Sequence, residues 1–373
     1  VSGGVLSLST DTANTGGLGT SDVTLQNGTL RMNSSSTTSG GSSWNIDVPG
    51  GTTGTLETDW RCELNGKLTG SGTFRYKLPN GAVRSSIFGN WSAFTGIIEV
   101  TALSGTADFR MAPDYSWPGL PGAALSLGSG VTALWSGNLN SGTGTVVSIG
   151  ELSGPAGSTL KGGTIAGRQI TYRIGERGGD SLFAGSISEQ TNGITNIVKR
   201  GGGTWTISGT SAVNGNLGIE AGTLLLSGSF SQIAGKSCTA ADAAVLGLDG
   251  TLTSETLSIQ DGATLRGQGT LNGALANDGL VELSTGSFDI NGAVTNNGYF
   301  RVLAPATFTV TGVFSNTGVL NLIGSSQPIP AGIVNTGVIL TDRAPADITW
   351  TGATDSAWDL QKSVNWTNTS SQP

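Results

Sequence analysis

Asn277, Asn296, Asn316 and Asn335 stand 19, 20 and 19 residues apart, and each opens the same short phrase. That phrase is an Asn-x-Gly turn followed by alternating apolar residues: Asn277-Asp278-Gly279-Leu280-Val281-Glu282-Leu283, then Asn296-Asn297-Gly298-Tyr299-Phe300-Arg301-Val302, Asn316-Thr317-Gly318-Val319-Leu320-Asn321-Leu322 and Asn335-Thr336-Gly337-Val338-Ile339-Leu340. A unit of about 20 residues with one turn and short strands cannot bury its own apolar face. The fixed period therefore predicts a solenoid, in which each repeat is stable only against its neighbours. Because the strands are rich in β-branched residues and alternate apolar with polar, the coil reads as a parallel β-helix. Asn and Gly are expected at the corners, where they adopt left-handed backbone conformations at little cost. A pair of β-sandwiches accounts for the alternation but not for the constant spacing.

The same grammar runs backward through Gly222-Thr223-Leu224-Leu225-Leu226, Gly250-Thr251-Leu252, Gly262-Ala263-Thr264-Leu265 and Gly269-Thr270-Leu271 to Gly54-Thr55-Leu56 and Gly28-Thr29-Leu30. One solenoid over residues 1–345 follows, with a Pro/Gly-rich loop excursion at 111–122. Residues 346–373 read as a C-terminal cap, or as the start of a following module, ending in a linker-like tail. Leu224, Leu226, Leu252, Leu265, Leu271, Leu320 and Leu322 are the expected core ladder.

Composition narrows the chemistry. Gly supplies 61 of the 373 residues, which disfavours helices throughout. The chain has no His, which removes hydrolases that rely on an imidazole base. With 18 basic and 25 acidic residues the net charge is −7 and no basic run exists, so a nucleic-acid groove is excluded. Cys62 and Cys238 stand alone, without a zinc spacing or a disulfide framework; they read as two buried thiols or one long-range disulfide. Neither a cofactor nor a metal site is expected. No stretch of about 18 apolar residues is present to span a bilayer. The start Val1-Ser2-Gly3-Gly4, low charge and abundance of Ser, Thr, Gly and Asn read as a piece of a longer secreted polypeptide.

The stretch Val198-Lys199-Arg200-Gly201-Gly202-Gly203-Thr204-Trp205-Thr206-Ile207-Ser208-Gly209, followed by Gly222-Thr223-Leu224-Leu225-Leu226-Ser227-Gly228, resembles the autotransporter-associated β-strand repeat. It departs from that repeat at Ser211-Ala212-Val213-Asn214-Gly215. The segments around Trp60-Arg61-Cys62-Glu63-Leu64 and Gly89-Asn90-Trp91-Ser92-Ala93-Phe94 are similar to regions that precede such repeats in large secreted bacterial proteins. The resemblance implies export and a right-handed parallel β-helix, as in autotransporter passengers. It implies no activity, because the repeat occurs in adhesins, proteases and polysaccharide-degrading proteins alike.

The densest charge in a chain only 12% charged lies in Leu56-Glu57-Thr58-Asp59-Trp60-Arg61-Cys62-Glu63-Leu64. Read as one strand, it turns Leu56, Trp60, Cys62 and Leu64 inward and sets Glu57, Asp59, Arg61 and Glu63 in one outward row. Carboxylates two residues apart on a strand face are about 6.5 to 7 Å apart, a spacing at which inverting glycosidases place an acid and a water-activating base. Glu57, Asp59 and Glu63 are thus the catalytic candidates of an enzyme reading, and Arg61, Arg75 and Lys77 the substrate-holding ones. A solvated face with cross-strand ion pairs uses the same residues without chemistry. A lyase would instead draw on Lys67, Arg75, Lys77 or Arg84. Tyr115 and Trp117, in the excursion, are candidates for stacking on sugar rings, or for covering the core. Trp350, Trp358 and Trp366 read as closing the open end of the solenoid, or as a row of sugar-stacking aromatics.

The sequence thus describes a secreted or cell-surface solenoid of bacterial origin, acting as an interaction module for a polysaccharide or cell-surface glycan. The alternative is a carbohydrate-active enzyme on the same scaffold, a glycoside hydrolase before a polysaccharide lyase.

Overall fold

The computed structural model describes residues 1–9, 22–33, 40–80, 84–111, 117–136, 144–163, 167–189, 193–342, 348–350 and 366–368. Every regular element among them is a strand, and the pairing is parallel throughout the solenoid. One ladder starts at Val5–Ser9 and climbs through Thr29–Asn33, Thr53–Thr58, Thr73–Leu78 and Ile97–Ala102 to Val334–Asn335. It is called the long face here. A second face runs beside it from Gly40–Ser42 through Cys62–Leu64, Arg84–Ile87, Ala107–Met111 and Val131–Trp135 to Thr307–Val310. The chain passes between these faces once per coil, which makes the molecule a parallel β-helix.

The coil is closed differently at its two ends. Near the N-terminus a three-stranded sheet, Val23–Thr24, Ile46–Val48 and Leu68–Gly70, is visited between the second face and the long face. From Ser181 onward a nine-stranded sheet, ending in Val338–Leu340, is visited between the long face and the second face instead. This last sheet is the third face.

Side chains alternate in and out along each strand, so the core is a set of ladders. Leu224, Leu252, Leu265, Leu271 and Leu320 are fully buried, and Leu226 and Leu322 nearly so. Aromatic clusters fill wider sections: Phe74 meets Trp91 edge-on at 5.6 Å, and Phe300 packs against Phe308 and Phe314. Cys62 and Cys238 are both buried and unbridged.

The repeat phrase is explained, with one correction. Asn277, Asn296, Asn316 and Asn335 are register partners at one corner, as a single coil length requires. Their backbone is not left-handed: among the described non-glycine residues only Asn27 and Ala243 have positive φ. Instead their side chains point inward and bond along the axis. The Nδ2 of Asn277 donates to Oδ1 of Asn296 at 2.7 Å, Asn296 to Asn316 at 2.7 Å, and Asn316 to Asn335 at 2.6 Å. The glycine two residues on is required by close approach, since a Cβ on Gly298 would lie 2.3 Å from the Gly279 carbonyl oxygen.

One further expectation changes. The loop excursion is narrower than 111–122, because Gly119–Leu127 is a strand of the long face. Its register shifts between Leu120 and Ala124, a bulge that accommodates Pro121, which has no N–H to give to a ladder. Ile348–Trp350 pairs antiparallel with Trp366–Asn368. Tyr115 and Trp358 lie outside the described residues.

Candidate functional site

The charged segment 56–64 is not one strand. Thr53–Thr58 belongs to the long face, the chain bends through Asp59 and Trp60, and Cys62–Leu64 belongs to the second face. In this coil the long-face strand is six residues long and ends at Thr58. Leu56, Cys62 and Leu64 are buried as expected, whereas Trp60 falls at the bend and does not join the core cluster. Glu57 and Glu63 consequently project from different faces, and Asp59 is exposed at the corner between them. The single outward row is replaced by two separate arrays.

On the long face Glu57 stands between Arg31 of the coil below and Lys77 of the coil above. Its carboxylate meets Arg31 Nε at 2.8 Å and Lys77 Nζ at 3.6 Å. Arg75 Nε donates to Glu99 at 2.6 Å, again between register partners. On the second face Arg61 Nη2 donates to Glu63 at 2.7 Å. Glu57, Lys77, Arg75, Arg61 and Glu63 are thus joined pairwise to one another or, with Arg31 and Glu99, across coils. Exposed pairs of this kind are worth up to about 1 kcal/mol each, and those between register partners act as staples between coils.

Trp117 is buried, only 3% exposed, with its ring stacked on Trp135 at 5.7 Å and 19°. It covers the core and does not offer a free face to a sugar.

Two grooves were not foreseen. The first, about 210 Å³, is bordered on the second face by Asp108, Arg110, Thr132, Leu134 and Lys161. There Arg110 donates to Asp108 Oδ2 from Nε at 3.0 Å and from Nη2 at 2.7 Å, while Asp108 Oδ1 is buried without a partner. The signal for this pair was the Asp-x-Arg step in Ala107–Met111, which alternation sends outward. The second groove, about 460 Å³, lies at the Asn-x-Gly corner beside the third face. It is lined by Asp261, Asp278, Leu280, Tyr299 and Val319 over a floor of Gly279 and Gly298. Tyr299 is the one aromatic among the first outward residues of the four phrases, and that was legible.

The Lys of the Lys-Arg-Gly-Gly-Gly stretch is structural. Lys199 is 1% exposed and donates to the carbonyls of Arg200 at 2.6 Å, Gly201 at 2.8 Å and Ala221 at 3.2 Å. Burial lowers its pKa to about 8, with Asp180 acting in the opposite direction. Cys62 is pushed up to about 12, chiefly by burial. Among the described residues no three His, Cys, Asp or Glu side chains gather where they could share a metal ion. No protein-family model matches the chain, and no curated protein is similar to it. The fold and the side chains therefore carry the functional reading alone.

Proposed function

We propose that this chain is a section of a secreted or cell-surface β-solenoid of the autotransporter-passenger kind, and that it binds polysaccharide. What supports binding over catalysis is the separation of Glu57 from Glu63 onto two faces, with both carboxylates engaged by cations. Hydrolysis of a glycosidic bond needs an acid and a base converging on one linkage. An interaction module needs only open, regular surface, and parallel coils repeat every outward side chain at about 4.8 Å along the axis. The −7 net charge favours neutral chains over polyanions.

The test is affinity electrophoresis through gels loaded with neutral and acidic polysaccharides, with the same mixtures assayed for new reducing ends and unsaturated products. Retardation without turnover is the expected result. Turnover that is lost in Glu57→Gln, Asp59→Asn or Glu63→Gln would establish the hydrolase alternative; retardation by none of the polysaccharides would remove the binding reading.

A further inference from the structure

We infer that the corner groove around Tyr299 is a subsite for a neutral glycan chain running along the solenoid axis, an inference that rests on the polysaccharide reading above and gives it a location. The floor is fixed by packing. A Cβ at Gly279 would lie 2.3 Å from the Gln260 carbonyl oxygen and one at Gly298 2.3 Å from that of Gly279, so this line of the corner admits no side chain and remains a trough. The wall on the third face is a column of register partners, Leu280, Tyr299 and Val319, one per coil. Two coil steps amount to about 10 Å, so a chain following this column passes the aromatic ring with an apolar residue on either side.

Tyr299 is held for this role. Its Oη accepts a hydrogen bond from Asn321 Nδ2 at 2.6 Å, which fixes the ring while leaving the phenolic proton free to donate. The apolar faces of sugar rings stack on such rings, and hydroxyls on the ring edge need acceptors nearby. Acceptors line the same groove. Asp261 has no hydrogen-bond or ion-pair partner among the described residues, and Asp278 uses Oδ1 to accept from Asn297 Nδ2 at 2.8 Å, leaving its second oxygen. None of the groove-lining residues is basic. The nearest outward column carries Arg266 and Arg301, with Arg301 paired to Glu282 at 3.5 Å. An aromatic platform sharing its groove with two carboxylates accepts hydroxyl groups and repels uronates and sulfates, so the ligand class is a neutral chain. The groove volume of about 460 Å³ lies within the range of about 300–1,000 Å³ found for small-ligand clefts.

The experiment compares the intact chain with Tyr299→Ala, Tyr299→Phe and Leu280→Lys in gels containing a soluble neutral β-glucan or polygalacturonate, with melting curves alongside. The intact chain should be retarded by the glucan, Tyr299→Phe should keep most of that retardation because the ring remains, and Tyr299→Ala should bind about tenfold or more weakly. Leu280→Lys, which places a long cationic side chain in the trough from an outward position, should also lose binding. It serves as the second variant if Tyr299→Ala melts early. Glucan retardation undiminished in both Tyr299→Ala and Leu280→Lys would overturn the groove while leaving polysaccharide binding in place. Preference for polygalacturonate would overturn the neutral class. No retardation of the intact chain by either polymer would overturn this subsite, and extension of that result across the wider panel would overturn the binding reading as well.

Discussion

Lys199 shows how a single buried cation organises a corner that the backbone cannot satisfy by itself. Three carbonyls converge there without N–H partners on the ladder, and the ammonium supplies three donors. Lys199→Met keeps the length and apolar stem but orphans the carbonyls, and should lower stability by about 2–5 kcal/mol in chemical denaturation. Unchanged stability would show that the corner is held by packing alone. The titration of buried groups gives a second expectation. Lys199 is lowered to about 8, so between pH 8 and 10.5 the unfolded chain holds the extra proton and stability gains as pH rises. Cys62 is raised from 9.0 to about 12, and Cys238, Tyr76 and Tyr172 are raised as well, all by burial. For these the folded chain keeps the proton longer, so the stability they contribute is whole below pH 9 and is lost above it. Each such group removes up to about 1.4 kcal/mol per pH unit across its window. Four groups outweigh one, and denaturation midpoints should fall steadily above pH 9; a flat profile from pH 9 to 11 would contradict the burial of both thiols.

At the scale of the element, the asparagine ladder ties successive strands to one another inside the coil. Asn296 both donates to Asn316 and accepts from Asn277, and it is fully buried, whereas Asn335 ends the ladder exposed. Asn296→Leu should therefore cost about 2–4 kcal/mol, and Asn335→Ala under about 1 kcal/mol, as read from thermal or urea melts. Equal effects would mean that the side-chain ladder contributes little. At the other end Asn277 Oδ1 has no partner, because the register partner in the preceding coil is Ile259, which has no donor. The 19–20 spacing made these partners legible from sequence, yet it did not distinguish an Asn in a left-handed turn from an inward Asn at a strand end. Both obey the same period, and only the direction of the side chain separates them. The charge cluster failed for a related reason. Alternation predicted the faces of Glu57 and Glu63 within a strand, but nothing in the alternation marked the bend at Asp59 and Trp60. Tyr299 was visible as an outward aromatic; its groove was not, since the trough arises from glycines that stack at the corner.

For the whole molecule, stability is a sum over neighbouring coils, and its two ends differ from its middle. Several large apolar side chains near the last coils remain open: Ile323, Ile329, Val334 and Val338 are each about half exposed, between 47% and 56%. Interior coils are closed on both sides, so a fragment ending at Ser284 should retain the strand signal per residue seen by circular dichroism in the full chain, with a lower melting temperature. A disordered spectrum would show that the first coils depend on the last. The staples point the same way, for Arg31 reaches 26 residues to Glu57, Arg75 reaches 24 to Glu99 and Asn277 reaches 19 to Asn296. Every one of these reaches is about a single coil. Fixing a coil thus requires only the coil just made, so a chain delivered end-first through a narrow opening acquires its structure in the order in which it arrives and does not wait for residues still to come.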